Sequence, residues 1–246
     1  MNQTYDNETF FSQYAQMSRS REGLKAAGEW HQLKPLFPPL EGKCVLDLGC
    51  GYGWHCRFCK EQGAAQILGI DSSQRMIEEA RRRDGENGIS YRVCGVEEYE
   101  FPESAWDLVV SNLVLHYIQN LDYVFEQVWK TLREDGIFLF NMEHPVFTAG
   151  VGQDWIYTED GKPRFWPVDD YFMPGKRNTS FLGCQVEKYH HTLTQILGGL
   201  LRQGFVLEAV EEAQPPEEMR KLPGMEQEMR RPMMLLVKAR KGNRAE

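Results

Sequence analysis

Three glycines at alternate positions, Gly49, Gly51 and Gly53, follow the apolar run Val45-Leu46-Asp47-Leu48, and helical spacing resumes at Trp54. A strand, a tight glycine turn and a helix start make a nucleotide-sized cradle. Glycine lets the backbone approach a ligand, and the first turn of a helix offers free N–H groups. A second apolar run, Ile67-Leu68-Gly69-Ile70, ends in Asp71, twenty residues after Gly51. A carboxylate at that point accepts hydrogen bonds from both hydroxyls of a ribose. Histidine brings a second kind of chemistry, because imidazole exchanges protons near neutral pH. His116, His144 and His190 fall at or near expected strand ends and are candidate bases, whereas His31, His55 and His191 are less well placed.

The glycine spacing narrows the nucleotide. A dinucleotide fingerprint needs its third glycine at position 54, which is Trp54. The pattern Asp47-x-Gly49-x-Gly51-x-Gly53 instead resembles motif I of the class I S-adenosylmethionine-dependent methyltransferases. That cofactor has no pyrophosphate to cradle. Its amino-acid tail carries an ammonium that wants carbonyls and carboxylates. The resemblance implies a cofactor site made from Asp47, Gly49, Cys50 and Gly51 at the first strand end, and Asp71 and Ser72 at the second. Met76 would pack on the adenine, and Ser111, Asn112 and Leu113 would lie beside the methionine portion. After the third strand Gly95 stands where the family often has an Asp. Val96 then supplies the N–H to adenine, and Glu97, or else Glu98, replaces the missing acceptor.

These residues need elements to hold them. Strands are expected near 44–48, 66–70, 90–94, 107–111 and 136–142, and helices near 54–62, 73–84 and 121–134. Such alternation predicts an α/β fold: a doubly wound, Rossmann-like sheet with helices on both faces. Runs 205–210 and 233–237 supply a closing antiparallel hairpin, making seven strands, mostly parallel. The chain is expected to be a single domain over residues 1–246, with a helical lid at 1–39 and a β-rich substrate cap inserted at 147–188. Two helices are expected over 6–34, and the lid would turn Tyr14, Met17 and Arg19 toward the cofactor. The cap is rich in aromatics. Within and just after it, Trp155 and Tyr189 are candidate substrate contacts or ring-face shields for a sulfonium. Tyr189-His190-His191 is expected to open the helix that follows.

Composition bounds the partners. The chain has 246 residues, 28 Lys+Arg against 36 Asp+Glu, and a net charge of −8. An acidic surface disfavours nonspecific nucleic-acid binding. Arg81-Arg82-Arg83 and Arg230-Arg231 read as solvated faces. No apolar run reaches membrane-spanning length, and the polar start of the chain is not a signal peptide, so a cytoplasmic protein is expected. Cys56-x-x-Cys59 has no second close pair, so no zinc site and no metal are expected.

The matching stretches extend beyond the core to Ala27-Gly28-Glu29-Trp30, Glu143-His144-Pro145-Val146-Phe147 and Lys188-Tyr189-His190. They resemble a bacterial branch of small-molecule methyltransferases, in which His191 stands where Arg is common. The expectation is an enzyme with S-adenosylmethionine as cofactor that moves a methyl group to the oxygen or nitrogen of a small acceptor. His144 and His190 would flank the acceptor, one orienting it and the other serving as base; His116 is the third candidate. An RNA methyltransferase and a noncatalytic cofactor-binding module are the other readings. A nicotinamide oxidoreductase would use the same sheet but lacks its third glycine.

Overall fold

The structure, a computed structural model, describes residues 3–150 and 152–243. Met1 and Asn2 of the expected lid, Val151 of the expected cap and the last residues of the expected domain, 244–246, lie outside the described residues.

A 3-10 turn, Gln3–Asp6, leads into α1 (Glu8–Gln16), α2 (Ser18–Glu22) and α3 (Trp30–Leu33). The core follows as β1 (Cys44–Leu48), α4 (Trp54–Glu61), β2 (Gln66–Asp71), α5 (Gln74–Asp84), β3 (Ser90–Val93), β4 (Trp106–Asn112), α6 (Leu121–Thr131) and β5 (Leu132–Glu143). Next come α7 (Pro145–Thr148), the antiparallel pairs β6 (Ile156–Tyr157) with β7 (Pro163–Phe165) and β8 (Gly175–Phe181) with β9 (Cys184–His190), and α8 (Leu193–Arg202). β10 (Phe205–Glu212), α9 (Met225–Glu228) and β11 (Met234–Lys241) complete the order.

One seven-stranded sheet runs β10-β11-β5-β4-β1-β2-β3. Strands β1 to β5 are parallel, and β11 lies antiparallel between β5 and β10. The doubly wound sheet with a closing antiparallel hairpin is therefore as expected. Central strands bury both faces, which is why they read as continuous apolar runs. Alternate residues serve opposite layers. Val109, Phe138, Phe140 and Val237 pack with Phe125 of α6 and Ile196 and Leu200 of α8. Leu108, Val110, Leu139 and Leu236 pack with Cys56 of α4 and Ile77 of α5. Strand order reverses between β1 and β4, and a cleft opens beyond the carboxyl ends at such a point.

Three local expectations are corrected. The helix expected over 121–134 stops at Thr131, because Leu132 turns extended and pairs with Trp106 of β4. The N-terminal segment is not two helices joined by a turn at 18–21: extended Met17 ends α1, residues 18–21 themselves coil as part of α2, and Gly23, at φ 71°, ends α2 before the short α3. A Cβ at Gly23 would lie 2.5 Å from the Trp54 ring. Tyr189 and His190 do not open a helix. They end β9, and α8 starts at Thr192 through a capping box with Gln195. Pairing with β8 satisfies the backbone of Lys188 to His190, so the chain has no reason to coil there.

Candidate functional site

The strand ends line a cavity of about 400 Å³. Its floor is the glycine turn after β1 and the Asp71-Ser72 end of β2. The loop after β3 forms one wall through Val96 and Glu97, and the end of β4 forms another through Asn112 and Leu113. The N-terminal segment closes over it with Tyr5, Tyr14, Met17 and Arg19, and the β8–β9 pair adds Phe181 and Lys188.

Local physics holds each of these. Gly49, Gly51 and Gly53 all have positive φ, at 73°, 51° and 78°, so each favours glycine. At Gly49 a Cβ would overlap a methyl of Val114, whereas at Gly51 it would meet no protein atom within 4 Å. Gly51 lines the cavity, so its open side is ligand space. Asp71 accepts the Gly51 N–H on Oδ2 and the Ser73 N–H on Oδ1, both at 2.9 Å. Those bonds lock the carboxylate, yet each oxygen keeps a further acceptor direction for a hydroxyl. Burial pushes the carboxyl up to about 6, against the pull of the two N–H groups. Arg19 binds both oxygens of buried Glu29, at 2.8 and 2.7 Å. Asn141 Nδ2 donates to Asn112 Oδ1 at 2.9 Å and to Glu29 Oε1 at 3.4 Å. Leu113, at φ 58°, is a strained residue on the cavity wall.

The expected cofactor residues gather here, with three exceptions. Asp47, Cys50 and Ser111 do not line the cavity. Asp47 lies beneath the turn, 1% exposed, accepting from Cys56 Sγ at 3.3 Å, and burial pushes its carboxyl up to about 7. The Cys50 sulfur abuts Gly69, and Ser111 Oγ donates to Leu48 O.

The expected catalytic histidines are not brought together. Neither His144 nor His190 lines the cavity, and both imidazoles are committed elsewhere. His144 Nδ1 accepts the Val146 N–H at 3.0 Å, capping α7, and its Nε2 lies 3.1 Å from Glu212 Oε1. His190 Nε2 donates to Tyr171 O at 2.9 Å, which leaves Nδ1 to accept from Thr148 Oγ1 at 2.7 Å. These bonds anchor the insertion, which is the physical reason they do not face the cleft. His144→Ala is therefore expected to cost about 1 kcal/mol as a lost helix cap. Cofactor affinity should not change, as denaturation and calorimetry would check. Trp155 and Tyr189 are also outside the cavity. Trp155 lies under Arg230 and edge-on to Trp166, and the Tyr189 hydroxyl donates to Glu187.

His116 does line the cavity. Its Nδ1 accepts the Glu143 N–H at 3.3 Å, and burial lowers its pKa to about 4, so it is neutral at pH 7. Beside it stands a cluster that sequence reasoning left out of the site. Lys188 Nζ donates to Glu143 Oε1 at 2.5 Å and to Gln153 Oε1 at 3.3 Å, and Gln153 Nε2 donates to Glu143 Oε2 at 3.1 Å. Lys188 is 4% and Glu143 8% exposed. Burial opposes the charge of Glu143, but His116, Lys188 and Gln153 outweigh it and hold the carboxyl below its usual range. The Lys188 ion pair and the Gln153 hydrogen bond act in that direction whatever the state of His116. Tyr5 and Tyr117 were also missed; their hydroxyls lie 3.1 Å apart at the same end. From sequence the Glu143-His144 pair, stopped by Pro145 at a strand's carboxyl end, points to the cleft; Glu143 lines it and His144 does not. Nothing in the neighbouring residues marked Tyr5.

Comparison with known proteins places the geometry. Residues 46–140 match a family model described as "Methyltransferase domain". A crystal structure from Mesorhizobium loti, described as an S-adenosylmethionine-dependent methyltransferase, is 38% identical with a TM-score of 0.82; the match covers 89% of this chain and all (100%) of that one. A Listeria monocytogenes chain described as a candidate enzyme of the same kind is 46% identical, TM-score 0.86, covering 90% of this chain and 100% of that one. A tRNA U34 carboxymethyltransferase of Photobacterium profundum is 36% identical over 44% of this chain, which spans only 34% of that protein.

Proposed function

The chain belongs to the class I S-adenosylmethionine-dependent methyltransferases, and on that premise we propose that it methylates a small molecule held in the cavity at the strand ends. S-adenosylmethionine is the cofactor, and when bound it supplies an activated methyl group on a sulfonium. The residues present fit it. Asp71 offers its remaining acceptor directions to the ribose hydroxyls, and Gly51 leaves the room that a side chain would fill. Met76 and Val96 take the adenine, with Glu97 as acceptor for its amino group. Arg19, steered by Glu29, takes the carboxylate of the cofactor's tail. The N-terminal segment acts as a lid over residues 1–39, and 147–188 as a cap. The enzyme works in the cytoplasm; among the described residues no helix is long and apolar enough to cross a membrane.

The observation that carries the small-molecule reading is the size of the cavity. About 400 Å³ lies at the small end of ligand pockets, and the cofactor takes much of it. Tyr5, Phe181 and Lys188 are among its lining residues, and a macromolecular acceptor would need a wide groove in their place. The likeness to a tRNA enzyme keeps RNA as the second reading. Radiolabelled cofactor incubated with the protein and a cell extract separates the two. Label is expected in the fraction that passes a small-pore filter. Label confined to RNA would sink the proposal.

Asp71 gives a direct check on the cofactor site. Asp71→Ala should weaken S-adenosylhomocysteine binding by about 2–3 kcal/mol, through loss of charge-assisted hydrogen bonds. The ionised carboxylate is the better acceptor for hydroxyls, so binding must favour proton release. With the carboxyl at about 6 in the unliganded protein, affinity should rise as pH increases toward 6 and level off above it. Calorimetry on the parent protein and Asp71→Asn tests this: the variant should lose that slope.

A further inference from the structure

The polar groups at the acceptor end of the cavity are donors. Lys188 spends two of its three ammonium hydrogens on Glu143 and Gln153 and keeps one. His116 receives the Glu143 N–H on Nδ1, so its proton sits on Nε2. That Nε2 lies 3.9 Å from Glu143 Oε1, beyond hydrogen-bond range, and among the described residues no acceptor reaches it. Between the hydroxyls of Tyr5 and Tyr117 one proton bridges and the other is free to donate. Burial raises both phenols, which keeps them protonated.

Among the described residues, by contrast, no imidazole or carboxylate at this end is left free as a proton acceptor. His144 and His190 are outside the cavity with both nitrogens engaged. His191 also lies outside, its Nε2 donating to Ile118 O. Among the described residues Glu143 is the one carboxylate at this end, and both of its oxygens are engaged, Oε1 by Lys188 and Oε2 by Gln153. The charges of Glu143 and Lys188 cancel, so the end is close to neutral. Ile118, Phe181 and Met233 make its remaining surface apolar.

Donors without a base select the nucleophile. An alcohol must lose a proton as it attacks, and an alkyl amine arrives as ammonium and must lose one before it can. A carboxylate, with pKa near 4, arrives deprotonated at neutral pH. We propose that the acceptor is a carboxylic acid with an apolar body, bound through Lys188, His116 Nε2–H and the Tyr5–Tyr117 pair, and that the product is its methyl ester. The proposal rests on the small-molecule reading above. A carboxylate oxygen supplies the electron pair for the new O–C bond. The S–C bond breaks and its pair stays on sulfur, which becomes the neutral thioether of S-adenosylhomocysteine. No proton moves, so no base is needed.

Two measurements test this. In the first, small-molecule products labelled from radioactive S-adenosylmethionine in a cell extract are treated with alkali. Methyl esters release the label as volatile methanol, whereas N-methyl and ether products keep it. Volatile label is the expected result. Alkali-stable label in the small-molecule fraction overturns the ester proposal and leaves the small-molecule reading standing; label confined to RNA overturns both. The second is independent of turnover. The protein loaded with S-adenosylhomocysteine is titrated with benzoate, benzamide and benzylamine. Benzoate should bind at least about tenfold more tightly than either neutral or cationic analogue, equivalent to 1.4 kcal/mol. Equal affinities, tighter benzylamine or no benzoate binding would overturn the assignment. Glu143→Gln combined with Lys188→Gln removes both charges without orphaning either. That double variant should keep S-adenosylhomocysteine affinity and lose the benzoate preference.

Discussion

Lys188→Met is expected to lower the stability of this protein by about 3–5 kcal/mol at pH 7, the usual cost of removing one member of a buried ion pair. The carboxylate of Glu143 would then sit 8% exposed with only the Gln153 amide for a partner. The expectation follows from desolvation more than from attraction. Forming the pair returns little beyond the cost of burying two charges, but breaking it leaves that cost unopposed. A pH test follows. In the parent protein the folded pKa of Glu143 is depressed, so the pair's contribution is present above the unfolded carboxylate range. It is lost as pH falls through the folded value. In the variant only the Gln153 hydrogen bond opposes burial, which raises the folded pKa, so protonation relieves the penalty. The stability deficit should therefore shrink between pH 7 and pH 5. Urea denaturation at both values checks this, and adding Glu143→Gln should recover most of the loss. A deficit below about 1 kcal/mol would mean that the pair is solvated like a surface salt bridge. The acceptor end would then not be the buried, low-dielectric place described above.

The second large effect concerns the glycine turn. Gly51→Val should leave a folded protein that has lost S-adenosylhomocysteine by about 100-fold or more, equivalent to about 2.7 kcal/mol. Gly51 has φ 51°, so any side chain there carries strain of about 1–2 kcal/mol. No protein atom stands within 4 Å of the new Cβ, so the fold itself is not obstructed. The isopropyl group would project into the space that the cofactor needs. Gly49→Ala differs in kind: its methyl would strike Val114, and that variant should lose stability as well as affinity. Circular dichroism with calorimetry separates the two. A folded Gly51→Val that binds normally would show that the turn is not the cradle.

Much of this was legible in the order of residues. Alternation of short apolar runs with helical spacing specified the parallel sheet, since each run must bury both faces. The glycines of the turn were legible too, because only glycine takes positive φ freely in three places so close together. Asp71, Met76, Glu97, Asn112 and Leu113 then followed from their places at strand ends, and the cavity receives them all. Asp47 misled because a motif does not say which of its side chains face inward. In β1 alternate residues point to opposite layers, and the acid lies beneath the turn.

The acceptor end had no such local code. Glu143 and Lys188 are 45 residues apart, and Tyr5 and Tyr117 are separated by 112; only the closed fold makes them neighbours. The histidines show the same limit from the other side. An imidazole at a strand end suits a base and suits a cap equally well, and its partners decide between them. For His144 the partners are a backbone N–H two residues on and an acid on β10; for His190 they are Thr148 and the Tyr171 carbonyl. Backbone conformation and the burial pattern are set within a few residues, so sequence alone specifies the glycine turn and the Asp71 end of β2. Ionisation and hydrogen-bond direction depend on what arrives from distant segments and on how much water it displaces. Tertiary structure alone therefore decided which groups stand beside Glu143 and Lys188 in the proposed acceptor half.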